Sequence, residues 1–361
     1  MPAPDRILMG SGPSNPYPQV MQALTKPVLG HLDPEFLATL DETCARLRTV
    51  FGTTNELTVP ISGTGSAGME ASFVNVVRPG DVVVVGVNGL FGERMCDVAS
   101  RCGAQIVRVE ADWGTPLDPQ AVLDAHPSPS VIALVHAETT TGVRNDVAPI
   151  GAAKPAGALL LVDCVTSLGG IPVEIDEWNV DIAYSGTQKC LSVPPGLAPL
   201  TFSEAARERI VERPQSWYLD LNQIAKYAST PGARTYHHTA PISMIFALHA
   251  GLGAVLDEGL HAAYARHEET GRALQDGLVK LGLELIAPES HRLPELTTVR
   301  IPAGADDVFV RRALLERFDI EISGGVGPFA GKAWRIGCMG HSARMRNVAA
   351  LLGALEQVLT W

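Results

Sequence analysis

Between residues 50 and 205, short apolar segments alternate with stretches of helical periodicity, and this alternation restricts the possible folds most strongly. The segments are apolar on both faces, which is typical of strands in a parallel sheet that helices cover. The stretch 93–101 between two of them has apolar residues at helical spacing. The alternation predicts an α/β domain with a mostly parallel, doubly wound sheet. The predicted strands are DVVVVGV (81–87), AQIVRV (104–109), VIALVHAE (131–138), ALLLVDC (158–164) and DIAYSG (181–186).

The pattern changes after about residue 240, where longer helical stretches and fewer strands follow. We predict a smaller C-terminal α+β domain, with helices over 242–256, 260–281, 307–318 and 344–359 and strands TTVRIP (297–302) and AWRIG (333–337). The pattern of the first fifty residues predicts an extended arm and one helix. The proposed boundaries are an N-terminal arm over 1–20, a large domain over 21–255 and the small domain over 256–361.

The net charge argues against nucleic acid as a partner, and the cysteine pattern argues against a metal site. The formal net charge of −11 argues against nucleic acid, which requires a cationic face, and gives no reason to expect an anionic membrane. The six cysteines are scattered and form no C-x-x-C pair, and no cluster of metal-ligand spacing is present in the sequence. No secretory signal is recognisable at the start of the chain. We therefore expect a reduced, cytoplasmic compartment and no bound metal.

Three polar sites follow predicted strands of the large domain, at the edge where open α/β sheets bind ligands. The first is ISGTGS (61–66), whose glycines precede a helical run and could cradle a phosphate. The second is Asp163, at the end of LLLVD, where a carboxylate requires a positive partner. The third is Lys189, flanked by small and polar residues. Each has an ordinary alternative: a capping turn, a turn aspartate and a solvated loop lysine.

Taken together, the three sites match the requirements of one cofactor. They supply a phosphate anchor, an anion for a protonated pyridine nitrogen and an amine for an imine, in chain order. A metal or nucleotide site does not require all three.

The chain resembles the class V branch of fold-type I aminotransferases, specifically the alanine–glyoxylate / serine–pyruvate aminotransferase group. The resemblance covers nearly the whole chain. It rests on GSGPSN (10–15), SGTGSAGMEA (62–71), VNGLFGER (87–94), HAETTTGV (136–143), LLLVDCVTSLGG (159–170), YSGTQKCLSVPPG (184–196), YHHTAP (236–241) and WRIGCMG (334–340).

The resemblance implies that pyridoxal 5'-phosphate is the cofactor and assigns it a set of contacts. Lys189 forms the Schiff base and carries the proton, and Asp163 pairs with the pyridine nitrogen. The other implied cofactor contacts are Val165 and Phe91 on the two ring faces, Thr140 near the ring hydroxyl, and Thr64, Gly65, Ser66 and Gln188 at the phosphate. The cofactor then passes an amino group from a small amino acid, alanine or serine, to glyoxylate or pyruvate in a ping-pong sequence.

The resemblance also implies substrate contacts and a homodimer with shared active sites. Tyr236 and Thr239 match the pair that reaches the phosphate of the neighbouring subunit's cofactor. Arg335 matches the arginine that grips the substrate carboxylate, in line with the preference of a lone buried guanidinium for a bidentate anion. Ser14 and His31 are candidates for selecting the amino donor.

Some positions depart from the alanine–glyoxylate pattern and leave alternatives open. Ser66 stands where the typical enzyme often has histidine, although its hydroxyl and backbone N–H can still serve a phosphate. A related ureidoglycine–glyoxylate aminotransferase is similar around DPEF (33–36), DEWNVD (176–181) and TQKCLSVP (187–194), but its two substrate-reading residues correspond to His31 and Tyr236 here. A cysteine desulfurase usually has histidine where Gln188 stands. A non-catalytic protein that retains the fold is the remaining alternative.

Overall fold

The computed structural model describes residues 4–228 and 234–359. The described chain forms fourteen strands: β1 (Ile7–Leu8), β2 (Leu57–Ser62), β3 (Val82–Val87), β4 (Gln105–Glu110), β5 (Val131–Val135), β6 (Ala137–Glu138), β7 (Val143–Arg144), β8 (Leu159–Asp163), β9 (Ile182–Tyr184), β10 (Leu197–Phe202), β11 (Leu296–Arg300), β12 (Ile320–Glu321), β13 (Ser323–Gly324) and β14 (Ala333–Gly337).

The described α-helices are α1 (Pro18–Leu24), α2 (Pro34–Phe51), α3 (Gly65–Val74), α4 (Leu90–Arg101), α5 (Pro119–Asp124), α6 (Ala148–Ala153), α7 (Glu204–Glu208), α8 (Leu221–Ala228), α9 (Ile242–Glu258), α10 (Leu260–Lys280), α11 (Asp307–Phe318) and α12 (Met345–Val358). In this part of the chain no single helix has the length and apolarity to cross a bilayer. Only α9 and α10 taken together meet those criteria, and they are bent by 84° at their junction.

A seven-stranded sheet forms the centre of the large domain, in the order β2-β10-β9-β8-β5-β3-β4. Strands β9, β8, β5, β3 and β4 are parallel, whereas β10 runs antiparallel to both of its neighbours. This confirms the predicted α/β class and the mostly parallel sheet. The register places Asp163 opposite both Val135 and Tyr184, so the carboxyl ends of these strands meet at one edge.

The five predicted strands of the large domain are present, and β2 and β10 are two further strands that were not predicted. Each contains a proline, and prolines are depleted in sheet interiors because they lack a backbone donor. Pro60 and Pro199 lie opposite each other in the β2–β10 pair. Strand β2 is at the edge of the sheet, where one backbone side needs no partner strand.

The N-terminal region differs from the prediction of an arm with one helix, because α1 precedes α2 as a second helix. Both helices have proline in their first turn, Pro18 in α1 and Pro34 in α2, and such a proline fits a helix start. A seven-residue helix bounded by prolines shows too little periodicity to be recognised. Strand β1 in the arm pairs in parallel with β12 near the end of the chain.

The smaller unit packs its helices on a three-stranded antiparallel sheet, β11-β14-β13. Its buried cluster includes Trp334, Leu314 and Leu351, and Met9 from the N-terminal arm joins the same cluster. The arm therefore packs on the C-terminal unit, while the boundaries of the domains remain a prediction. Arg335 lies in β14, opposite Thr298 of β11 and Ser323 of β13.

Candidate active site

A cavity opens where β8 and β9 end and where α3 and α4 begin. The sheet brings together segments that are far apart in the chain: the β2–α3 turn, the start of α4, the end of β8 and the loop after β9. The residues that line this cavity are Thr64, Gly65, Ser66, Met69, Phe91, Arg94, Asp163, Val165, Tyr184, Gln188 and Lys189. Eight of the predicted site residues are among them.

The amine of Lys189 is buried in this cavity, and the side chain is 8% exposed. Its Nζ donates a hydrogen bond to the backbone carbonyl of Ser11 in the N-terminal arm. Burial lowers the pKa of Lys189 to about 8, and the nearby charge of Arg335 acts in the same direction. A larger fraction of the amine is therefore neutral near pH 7 than for a solvated lysine, as condensation with an aldehyde requires.

Gly12 lies directly against the lysine side chain. Its φ is +111°, and a Cβ built at this position would come within 2.6 Å of Nζ of Lys189. A side chain here would therefore both strain the backbone and collide with the amine. The arm motif GSGPSN thus forms part of the wall around the lysine.

Ser14 supports the lysine loop from behind rather than facing the cavity. Its hydroxyl donates to the carbonyl of Lys189 at 2.7 Å and lies 3.1 Å from the hydroxyl of Ser192. Its backbone N–H donates to the carbonyl of Gln188 at 2.9 Å. These contacts make Ser14 a positioning residue for the lysine, and its expected contact with the substrate remains a prediction.

Asp163 is the buried anion of the cavity. One carboxylate oxygen accepts from the Tyr184 hydroxyl at 2.6 Å, and the other accepts from the backbone N–H of Val165 at 2.7 Å. Burial raises the pKa of Asp163 to about 6, although these hydrogen bonds and the charge of Lys189 oppose that rise. The carboxyl group therefore remains mostly ionised near pH 7 and can pair with a cationic nitrogen.

The β2–α3 turn presents unused backbone donors to the cavity. The N-cap residue Thr64 makes no side-chain capping hydrogen bond, and the backbone N–H groups of Gly65 and Ser66 have no acceptor among the described residues. The N-terminus of a helix with free N–H groups and nearby hydroxyls is suited to binding a phosphate. Gln188 completes this wall of the cavity, and its Oε1 is buried without a hydrogen-bond partner in the described structure.

Val165 and Phe91 both line the cavity, as expected for residues that pack on a planar ring. A Cβ at Gly65 would lie 3.1 Å from Cγ2 of Val165, so the turn and the valine are in close contact. The guanidinium carbon of Arg94 lies 4.9 Å from the centre of the Phe91 ring. Arg94 was not predicted as a site residue.

Thr140 lies at the start of α4 and contacts the carboxyl group of Glu138, which was not predicted as a site residue. Its hydroxyl donates to Oε1 of Glu138 at 2.7 Å and accepts from the backbone N–H of Leu90 at 3.2 Å. The other oxygen of Glu138 accepts from the backbone N–H of Phe91 at 3.2 Å. Glu138 therefore ties the first turn of α4 to β6. Burial raises its pKa to about 7.

Glu138 and Tyr184 could have been found from the sequence by one signal. Each is a polar group that follows apolar residues near the end of a strand segment, VIALVHAE (131–138) and IAY (182–184), and this same feature identified Asp163.

Arg335 extends from β14 towards the lysine and has no carboxylate partner among the described residues. Its Nε donates to the carbonyl of Gly324 at 2.9 Å, and burial lowers its pKa. The charge of Arg335 contributes to the lowered pKa of Lys189, so the two cationic groups lie near each other. An unpaired, partly buried guanidinium is suited to binding a substrate carboxylate.

Tyr236, Thr239 and His31 lie outside the cavity around Lys189. The hydroxyls of Tyr236 and Thr239 are 3.3 Å apart, and Tyr236 is 53% exposed. The His31 ring lies 5.0 Å from the Tyr236 ring. An exposed pair away from its own chain's cavity is the arrangement expected if these residues serve a neighbouring subunit.

The two histidines of the YHHTAP segment contact each other and do not form part of a metal site. Nδ1 of His237 lies 2.8 Å from Nδ1 of His238, whose Nε2 lies 2.8 Å from the Ser62 hydroxyl. Within residues 4–228 and 234–359, no three His, Cys, Asp or Glu side chains are arranged to hold a metal ion.

The cavity fits pyridoxal 5'-phosphate by the chemistry of its walls. It combines a buried amine, a buried carboxylate one strand away and unpaired N–H donors at a helix N-terminus. These groups suit the aldehyde, the ring nitrogen and the phosphate of this cofactor, respectively.

Comparison with known proteins identifies the family. Residues 10–330 match the family model described as aminotransferase class-V. The (S)-ureidoglycine–glyoxylate transaminase of Bacillus subtilis is 40% identical over 380 residues, covering 99% of this chain and 91% of that one. The alanine–glyoxylate aminotransferase of Drosophila melanogaster is 38% identical over 366 residues, covering 99% of this chain and 93% of that one.

A solved structure shows the same architecture throughout. The alanine–glyoxylate aminotransferase from Nostoc sp. superimposes with a TM-score of 0.96 at 45% identity, covering 99% of this chain and 96% of that one. The chain therefore belongs to the class V aminotransferases, enzymes of fold type I whose cofactor is pyridoxal 5'-phosphate.

Proposed function

We propose that this aminotransferase moves the amino group of alanine or serine to glyoxylate or pyruvate by a ping-pong mechanism. The observation that carries this proposal is that the charge of Arg335 acts on the buried amine of Lys189, so two cationic groups lie near each other. Lys189 supplies a buried amine, and Arg335 supplies a guanidinium without a carboxylate partner among the described residues. A small amino acid presents one carboxylate and one α-carbon to such a pair.

Bound pyridoxal phosphate supplies an electron sink and carries the amino group between the two half-reactions. The ε-amino group of Lys189 would hold the cofactor and then, once released, move the proton of the substrate α-carbon. Its lowered pKa suits this role, because a base with a pKa near the working pH is the most effective. Asp163, kept ionised by two hydrogen bonds, would hold the proton on the ring nitrogen.

Arg335 would orient the substrate by its carboxylate, with Nε already fixed on the Gly324 carbonyl and the two Nη groups left to form a bidentate contact. Arg335 lies on β14 in the small unit, and Lys189 lies in the loop between β9 and β10 of the large sheet. The substrate would therefore bind at the junction of the two cores.

Ureidoglycine is the second candidate for the amino donor. The Bacillus subtilis relative named for that substrate and the alanine–glyoxylate relatives are similar to this chain at nearly equal identity. His31 and Tyr236 replace the two residues with which the ureidoglycine–glyoxylate group reads its amide-bearing substrate, and this replacement counts against ureidoglycine. A cysteine desulfurase activity is the more remote alternative.

We further propose a homodimer whose active sites are shared, since Tyr236 and Thr239 lie outside their own chain's cavity. The proposed compartment is cytoplasmic, which is in keeping with six cysteines that are all free and buried.

A panel of amino donors against glyoxylate and pyruvate tests the proposed function. We expect alanine or serine to show the highest kcat/KM, with parallel double-reciprocal lines. Higher kcat/KM for ureidoglycine would favour the second candidate, and sulfide release from cysteine the third. Lys189→Ala should abolish transfer and the borohydride-trapped cofactor adduct, whereas Lys332→Ala on the surface should retain both. An adduct that maps to another lysine would contradict the assignment.

A further inference from the structure

The side chains expected to bind the phosphate of the cofactor include no cation. The groups assigned to the phosphate of the cofactor, Thr64, Gly65, Ser66 and Gln188, are all uncharged. A phosphate ester carries about −1.5 to −2 charges near neutral pH, and the N-terminus of a helix offers only about half a positive charge. Lys189 would bond to the aldehyde of the cofactor, so its amine cannot neutralise the charge of the phosphate.

Arg94 lies at this wall and carries the missing charge. It lines the same cavity as Thr64, Ser66 and Gln188, and its Nη1 donates to the Ser66 hydroxyl at 3.1 Å. Among the described residues it forms no ion pair with a carboxylate. The acidic neighbour Glu93 is instead paired with Arg108, at 2.7 Å.

The Phe91 ring holds the guanidinium in place. Phe91 and Arg94 are three residues apart on α4 and therefore lie on one face of the helix. The guanidinium carbon lies 4.9 Å from the ring centre, in cation–π geometry. Because Phe91 also lines the cavity, one helical turn joins the ring-stacking face to the phosphate wall.

We propose that Arg94 is a cofactor-binding residue whose guanidinium neutralises the phosphate of pyridoxal phosphate and joins it to the Phe91 platform. Arg94 provides this charge from α4, outside the β2–α3 turn that supplies the backbone donors. The proposal rests on the cofactor assignment and deepens it by adding a charged group to the phosphate site.

The test separates phosphate binding from ring binding by using two ligands. Full-length protein, stripped of cofactor, is titrated with pyridoxal phosphate and, separately, with pyridoxal, which has the same ring and aldehyde but no phosphate. The variants are Arg94→Gln, Arg94→Lys and the control Arg101→Gln. Arg101 lies on the same helix, is exposed and pairs with Asp97. Absorbance of the bound cofactor reports occupancy, and the thermal midpoint reports folding.

We expect Arg94→Gln to weaken pyridoxal phosphate binding by about 10- to 100-fold, as for the loss of a hydrogen bond to a charged group. Its affinity for pyridoxal should be unchanged, Arg94→Lys should show a smaller loss, and Arg101→Gln should behave as the unaltered protein. Unchanged phosphate-ester binding in both Arg94 variants would overturn the proposal, as would equal losses for the two ligands.

If Arg94→Gln does not fold, the affinities of Arg94→Lys for pyridoxal phosphate and for pyridoxal are compared in its place. Failure of the unaltered protein to bind pyridoxal phosphate would contradict the cofactor assignment itself, so the two failures are distinguishable.

Discussion

At the scale of single residues, Glu295 is a buried acid that the proposed chemistry does not use. Neither carboxyl oxygen has a hydrogen-bond partner on another described residue, and burial raises the pKa of Glu295 to about 8. Its own backbone N–H and the charge of Arg144 oppose that rise without offsetting the loss of hydration. Glu295 is therefore neutral in the folded protein near pH 7 and ionised in the unfolded chain.

This difference predicts a pH-dependent loss of stability. A carboxyl group whose pKa is higher in the folded state stabilises the fold at low pH, and that contribution is lost as pH rises from about 4.5 to about 8. Glu295→Gln removes the titration. Its thermal midpoint should rise relative to the unaltered protein between pH 5 and pH 8, by an amount equivalent to roughly 3 kcal/mol. Calorimetry at several pH values measures the difference.

Glu289→Gln is the control, since Glu289 is exposed and lies six residues away in the chain. A constant difference between Glu295→Gln and the unaltered protein at all pH values would show that Glu295 is not titrating anomalously.

At the scale of elements, α4 positions two cavity residues through a tight contact with the sheet. A Cβ at Gly92 would lie 2.6 Å from the carbonyl oxygen of Gly86 in β3. Glu138 holds the same turn from the other side through the backbone N–H of Phe91. The start of α4 therefore has little freedom to shift, which keeps Phe91 and Arg94 in place.

Gly92→Ala tests this contact. We expect a loss of about 1–3 kcal/mol in stability from overpacking, together with weaker cofactor binding because Phe91 moves with the helix. Gly353→Ala in α12 is the matched control, because no atom lies within 4 Å of the added Cβ. The control should be neutral or slightly stabilising, since alanine is the better helix former. Equal thermal midpoints and cofactor affinities for both variants would contradict the proposed role of the contact.

The sequence predicted elements best where their periodicity was uninterrupted. Helix α11 and strand β14 have the bounds that the sequence predicted, because their patterns are regular and local. Strand β10 was missed because Pro199 interrupts its pattern, and a proline is unusual in a strand that has neighbours on both sides. Periodicity reports a local preference and carries no information on strand partners.

At the scale of the whole molecule, the shared site is the main consequence of the proposed homodimer. If Tyr236 and Thr239 act on the partner's cofactor, then in a mixed dimer the Lys189 lesion of one chain and the Tyr236 lesion of the other fall on the same site. One site would carry both lesions, and the other would be intact.

Mixing subunits tests this arrangement. Lys189→Ala protein and Tyr236→Ala/Thr239→Val protein are each expected to be strongly impaired. After dissociation and reassociation together, about a quarter of the unaltered activity should return, because half of the dimers are mixed and each has one intact site. Size-exclusion chromatography with light scattering should give twice the chain mass of 38.3 kDa. No recovery from a demonstrated mixed dimer would place Tyr236 at its own chain's site.

The sequence by itself determined the fold class, the family and the residue types of the cavity. A lysine, an aspartate and a glycine-rich turn at the ends of apolar strands are local features, and the physics of burial makes each of them conspicuous. Their chain order follows the order of the strands, so the sequence was sufficient to relate them to one cofactor.

Only the tertiary structure decided which groups hold those residues in place. The Ser11 carbonyl meets Lys189 across 178 positions of sequence, and β1 pairs with β12 near the other end of the chain. The Tyr184 hydroxyl reaches Asp163 because β8 and β9 are neighbours in register. Such partners depend on strand order and register, which are set by the packing of the whole core and not by the spacing of residues along the chain.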